Sequence, residues 1–125
     1  MEANAETLQA TRLTPFPGTP LFADLDNQGR IVDKDWAHYD FNHVVIEPLH
    51  MSRDTLDKGV SWVLREFHTR RRIGRRVRRS LAYLDPAIVL AGVLPLNLGW
   101  RRKLSADGNF QRGAEFVPEA LERTG

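Results

Sequence analysis

Three prolines and a glycine fall within the run Thr14-Pro15-Phe16-Pro17-Gly18-Thr19-Pro20, and they leave the backbone there little freedom. Each proline fixes its own φ and pushes the residue before it toward extended geometry, while Gly18 permits a left-handed turn. The run must therefore end whatever precedes it and set the start of whatever follows. Upstream, residues 7–13 alternate apolar and polar side chains at Leu8 and Ala10, with Leu13 following a break, and this predicts a short strand. Downstream, Thr19 is placed to cap a helix whose first position is Pro20, with Leu21, Phe22 and Leu25 as its apolar side and Gly29 as its end.

Trp36, Tyr39 and Phe41 follow in an acidic stretch, and residues 43–47 predict a second short strand stopped by Pro48. From Ser52, a cap-type residue with Asp54 in the first turn, the spacing of Leu56, Val60, Val63, Leu64 and Phe67 predicts an amphipathic helix. The apolar rhythm continues through Ile73, Val77, Leu81 and Leu84, with Gly74 expected to mark a bend and Pro86 an interruption. Residues 86–98, PAIVLAGVLPLNL, are the most hydrophobic stretch, too short to span a bilayer and expected to be buried or interfacial. A mainly α fold with one or two short strands is the resulting expectation, closing in a disordered tail over residues 105–125.

The chain has 125 residues, enough for one modest domain, and no cysteine. Disulfides, thiolate metal sites and a cysteine nucleophile are thereby excluded from this chain. The beginning, MEANAETLQATRL, lacks the pattern of a signal peptide, which predicts a cytoplasmic protein, with peripheral membrane contact left open. The net charge of +2 hides an uneven distribution, because residues 65–103 carry eleven bases against Glu66 and Asp85. Arg70, Arg71, Arg72, Arg75, Arg76, Arg78 and Arg79 make up most of that excess. Guanidinium groups suit phosphate recognition, so Arg71, Arg75 and Arg78 are candidates for contact with an anionic membrane surface or nucleic acid. An ordinary solvated or acid-paired helix face is the competing reading, and the lack of interleaved aromatic residues argues against nucleic acid.

His38, His43, His50 and His68 match no metal-ligand spacing, and Asp24, Asp26, Asp33 and Asp35 lack the calcium-loop pattern, so no metal site is assigned. Neither a GxSxG elbow nor a glycine-rich phosphate loop occurs, and no catalytic residue is assigned.

The string LTPFPGTPLFADLDNQGRI, then DW, HVVIEPLHMS and RDTLDKG, resembles the segment that follows the barrel in cobalamin (B12)-binding radical SAM proteins. The resemblance is closest to the subgroup with an extra C-terminal domain, which includes hopanoid-methylating enzymes. It implies that residues 1–19 correspond to the last strand of a β/α barrel and its pocket loop, and residues 20–104 to a helical C-terminal extension. Thr14, Pro15, Phe16, Pro17, Gly18 and Thr19 then become candidates for lining a cofactor or substrate pocket, since such sites lie at the C-terminal ends of barrel strands. S-adenosylmethionine, a four-iron cluster on a CxxxCxxC motif and cobalamin are the cofactors implied for the parent enzyme, not for this chain. The implied activity is radical modification of an organic or lipid substrate by the parent, with this chain a fragment inactive alone. The missing barrel portion or a homologous chain is the implied partner. A stand-alone basic module acting through residues 70–79, and a helper subunit completing a partner's barrel, are the alternatives.

Overall fold

The computed structural model describes residues 5–116 and 118. Residues 5–19 have no regular secondary structure and lead through the proline-rich turn into α1 (Pro20–Asn27). Thr19 caps α1 by accepting from the Phe22 amide, Pro20 occupies the first turn, and Gly29 takes the left-handed conformation that turns the chain back. The chain then folds over α1 through a short 3-10 turn (Trp36–His38) and makes a small apolar core of Leu25, Ile31, Tyr39, Val45 and Ile46, with Phe22 packed against it.

Four further helical stretches follow. Ser52 caps α2 (Arg53–Phe67) on the Thr55 amide, with Asp54 in the first turn as the sequence predicts. After α3 (Arg70–Ser80), a long helical stretch begins as α4 (Pro86–Ile88), passes through a π turn (Val89–Val93) and continues as α5 (Leu94–Ala106). The π turn ends two residues before Pro95, where a regular α-helix would drive the proline ring into the carbonyl four residues back. Finally α6 (Asn109–Ala114) starts from Gly108 at positive φ and packs closely along α2. A Cβ at Gly113 would lie 2.7 Å from the Ser61 backbone, so this crossing requires glycine.

The mainly helical expectation holds, and four details differ. Residues 7–13 form no strand, because no neighbouring strand supplies a hydrogen-bonding ladder. Residues 43–47 are reduced to a single antiparallel bridge, Ile31 with Ile46, supported by Val32 N–H to Val45 O (3.0 Å) and Glu47 N–H to Arg30 O (2.8 Å). The break between α2 and α3 falls at His68 and Thr69, not at Gly74, which lies inside α3 with open space around it. Arg76 reaches back from α3 to donate to the Phe67 carbonyl (2.9 Å), satisfying an end of α2 that the helix itself leaves unpaired. The expected tail from residue 105 contains the end of α5 and all of α6, held by polar burial that an apolar count does not register. Residues 117 and 119–125 of that tail, and residues 1–4, lie outside the described residues.

Candidate functional site

Residues 7–14 lack regular structure, yet their exposure alternates without exception. Thr7, Gln9, Thr11 and Leu13 are exposed, whereas Leu8, Ala10, Arg12 and Thr14 turn inward. This two-residue period belongs to an extended chain lying with one face on a support. The support is the helical unit, and it grips the segment at two polar anchors.

The first anchor is Arg12, which is only 2% exposed. Its Nε donates to Asp57 Oδ1 at 2.6 Å and its Nη2 to Ser61 Oγ at 2.8 Å, both on α2. Ser61 in turn donates to Asn109 Oδ1 of α6 (3.0 Å), while Arg112 lies 3.5 Å from the other Asp57 oxygen. A single guanidinium thus ties the extended segment to two helices. The break in the apolar alternation before Leu13 is the sequence signal of this anchor, because Arg12 occupies an inward position.

The second anchor is Glu6. Its carboxylate accepts from Arg79 Nη2 (3.0 Å), from Ser80 Oγ (3.0 Å) and from the Tyr83 hydroxyl. Burial works against ionisation of Glu6, but the hydrogen bonds from Tyr83, Arg79 and Ser80 outweigh it and hold the group below its ordinary range. Asn97 of α5 also donates to the Glu6 carbonyl (3.4 Å). Nothing in the spacing around Glu6 points to this role.

In the turn, Thr14 and Pro15 are buried, and the Thr14 hydroxyl donates to Arg12 O (3.2 Å). Thr19 donates from both its amide (3.2 Å) and its hydroxyl (2.7 Å) to Phe16 O while capping α1. Gly18 takes a φ of 82°, which only glycine adopts without strain. The Phe16 ring meets Phe41 edge to face at 5.5 Å, and Phe41 itself sits at a φ of 66° while its carbonyl accepts from the Arg12 amide (3.2 Å). Of the six pocket candidates, Thr14, Pro15 and the Thr19 hydroxyl serve the turn itself, and Phe16, Pro17, Gly18 and Thr19 form its exposed surface.

The arginines of α3 divide into distinct groups. Arg76 is buried, with its guanidinium 3.9 Å over the Phe67 ring and donating to Asn97 Oδ1 at 2.8 Å. Arg79 serves Glu6. Arg71 and Arg75, one turn apart, border a surface cavity of about 320 Å³ with Glu66, Thr69 and Arg72. Arg78 is exposed farther along α3 and does not line that cavity. The first turn of α3 carries no acid of its own and Thr69 makes no side-chain cap; the acid at this end is Glu66 of α2, 3.6 Å from Arg72.

His38 pairs with Asp33 (2.6 Å) and His43 with Asp40 (2.9 Å), with the two imidazoles 4.7 Å apart. Burial disfavours the Asp40 carboxylate, but hydrogen bonds from His43 and Asn42 prevail and lower its pKa to about 2. Among the described residues, no three His, Cys, Asp or Glu side chains gather into a metal-holding group. A chain without cysteine supplies no thiolate to an iron–sulfur cluster. No helix among the described residues is long and apolar enough to cross a membrane. Comparison with family models, curated proteins and solved structures finds no match to this chain.

Proposed function

We propose that this chain is the non-catalytic C-terminal unit of a B12-binding radical SAM type of enzyme, and that it joins the barrel by adding residues 7–13 as an edge strand. One observation carries the reading: the segment has the side-chain alternation of a strand, and among the described residues its backbone–backbone bond with the body of the chain is that from the Arg12 amide to Phe41 O. An extended segment with an open edge is a template for pairing with another strand. The two anchors, Glu6 and Arg12, hold it in place for such pairing. Once added, its C-terminal end carries the turn 14–19 to the face of a β/α barrel where reactions occur, presenting Phe16 and Pro17 there. The iron–sulfur cluster, S-adenosylmethionine and cobalamin belong to the remainder of the enzyme, which modifies an organic or lipid substrate.

The test uses Thr11→Pro, which removes an amide on the exposed edge. Proline at this position abolishes a ladder bond while leaving both anchors untouched. Capture of a separately prepared barrel portion carrying the CxxxCxxC motif should fall about tenfold or more, with the urea midpoint of the free chain little changed. Undiminished capture, or a stoichiometric four-iron cluster assembled on this chain alone, would overturn the proposal.

A second reading rests on the cavity at the start of α3, which Arg71, Arg72 and Arg75 border together with Glu66. The exposed Arg71 and Arg75 at that cavity, with the exposed Arg78 farther along α3, act as an anion-docking face of a basic interaction module. Replacing all three by Gln should weaken binding to RNA or anionic vesicles and flatten its salt dependence. Absence of binding by the unaltered chain at low salt dismisses it.

A further inference from the structure

The extended segment, the loop 40–42 and the end of α5 border a cavity of about 210 Å³, separate from the arginine cavity of α3. Its floor is apolar: Leu64 of α2 and Leu104 of α5 are buried there, and Trp100 lines it as well. Asp40, Lys103 and Asp107 bring charge to its walls. The Asp40 carboxylate is already engaged, because it accepts from His43 Nδ1 (2.9 Å) and from the Asn42 amide (2.8 Å) and so holds the loop that carries Phe41 at positive φ. Lys103 and Asp107 are not engaged in this way. They stand four residues apart at the end of α5, the spacing at which an acid and a base pair on a helix. Among the described residues, however, neither side chain enters an ion pair or a hydrogen bond, and Lys103 lies over the Trp100 ring, 5.4 Å from its centre.

The backbone of the segment adds a further element. In an extended chain successive residues present their amide and carbonyl to opposite edges, so those of Ala10 share the edge of the Arg12 amide, which faces the Phe41 carbonyl at 3.2 Å. Ala10 lines the cavity, and among the described residues neither of its backbone groups is hydrogen-bonded. The cavity thus offers a backbone donor and acceptor, an ammonium group, a carboxylate and an aliphatic floor. This set disfavours ligands of a single sign: a phosphate meets Asp107, and an amine without a carboxylate meets Lys103. A molecule with both charges on one carbon satisfies both residues. The space, room for about seven waters, suits a single amino acid and excludes a nucleotide or a longer peptide.

We infer that this cavity binds a free α-amino acid with an aliphatic side chain. Lys103 holds its carboxylate and Asp107 its ammonium group, the Ala10 backbone pairs with the same two groups as a neighbouring strand would, and the aliphatic part lies on Leu64 and Leu104. The edge used is that of Ala10 and Arg12, opposite to that of Gln9 and Thr11, so the inference stands whether or not residues 7–13 join a barrel.

The test is a titration of the nitrogen-15-labelled full chain with L-leucine, read by proton–nitrogen correlation spectra. The Trp100 indole N–H and the amides of Ala10 and Asp107 should shift together and saturate with a Kd of about 1 mM or below, while the indoles of Trp36 and Trp62 stay in place. Leucinamide, which lacks the carboxylate, and N-acetylleucine, which lacks the ammonium group, should each bind about tenfold more weakly. Lys103→Gln should weaken leucine about tenfold and leave leucinamide unaffected or tighter, whereas Asp107→Asn should weaken leucine equally and leave N-acetylleucine unaffected or tighter. Both side chains are exposed, so far-ultraviolet circular dichroism of the variants should be unchanged. The inference is overturned if leucine causes no saturable shift at Trp100 up to about 10 mM. It is equally overturned if the three ligands bind alike, or if each variant weakens all three to the same extent, since a merely structural role of Lys103 and Asp107 makes no distinction between the two ends of the ligand.

Discussion

Replacing Arg12 by methionine keeps most of the side-chain volume and removes the charge that joins three parts of the chain. The lost bonds are those to Asp57 (2.6 Å) and Ser61 (2.8 Å), together with a longer one to Asn109 (3.4 Å). Removing one member of a buried ion pair costs about 3–5 kcal/mol, mostly through the charge left behind. Asp57 is 26% exposed and keeps Arg112 at 3.5 Å, so water and that second arginine relieve part of the penalty. A loss near the lower end, about 3 kcal/mol, is therefore expected. With a urea slope of about 1.5 kcal/mol/M for a chain of this size, the unfolding midpoint should fall by roughly 2 M. Hydrogen exchange should quicken over residues 109–114, because Asn109 loses one of its donors and Arg12 no longer ties α6 to the segment. In a cycle with Asp57→Asn, the two substitutions should show a coupling of about 1.5–3 kcal/mol. A midpoint shift below about 0.3 M, or additivity of the two changes, would refute the anchor.

Gly113→Ala should lower stability by about 1–3 kcal/mol in the same urea titration, because its methyl meets the Ser61 backbone, which cannot rotate away. His38, hydrogen-bonded to Asp33, should titrate above 6.5 by proton NMR, and Asp33→Asn should return it toward the ordinary value. The stabilisation from that pair is fully present below pH 6.5 and disappears as pH rises through the raised pKa. His68 behaves oppositely: burial first, and then the charges of Arg76 and Arg101, depress its pKa. The unfolded chain therefore takes up a proton near pH 6.5 that the folded chain refuses, and stability should fall as pH drops from there toward the folded pKa. Chemical denaturation at stepped pH checks this, and His68→Gln should flatten the slope.

Local grammar made some elements legible from the residues alone. Thr19 with Pro20 and Ser52 with Asp54 set the starts of α1 and α2, since cap geometry depends on a few adjacent residues. The break at His68 was obscured because Leu64, Phe67, Ile73 and Val77 continue a helical rhythm across it, while the deciding contact comes from Arg76, nine residues beyond Phe67. α6 was hidden for a related reason: it is buried through Asn109 and Gly113, and neither a polar nor a side-chain-free position adds to an apolar pattern. The turn 14–19 was visible as a turn, but the internal use of Thr14 and Thr19 depends on hydrogen bonds that residue order does not reveal.

The same long-range polar bonds connect the fold to the proposed role. An isolated strand costs conformational entropy without a ladder to offset it, so residues 7–13 need another source of order. Glu6 supplies it at one end through α3 and the following turn, and Arg12 at the other through α2 and α6. The anchors act mainly through side chains, and the backbone groups they engage are those of Glu6 and Arg12, so strand pairing draws on the backbone of residues 7–11 between them. An apolar attachment at position 12 would bury the segment as well and would resist a one-residue slip, which exchanges the two faces, but it would tolerate a slip of two residues, which keeps them. The guanidinium, bound to Asp57 and Ser61 together, excludes that slip and fixes which side of the chain remains open.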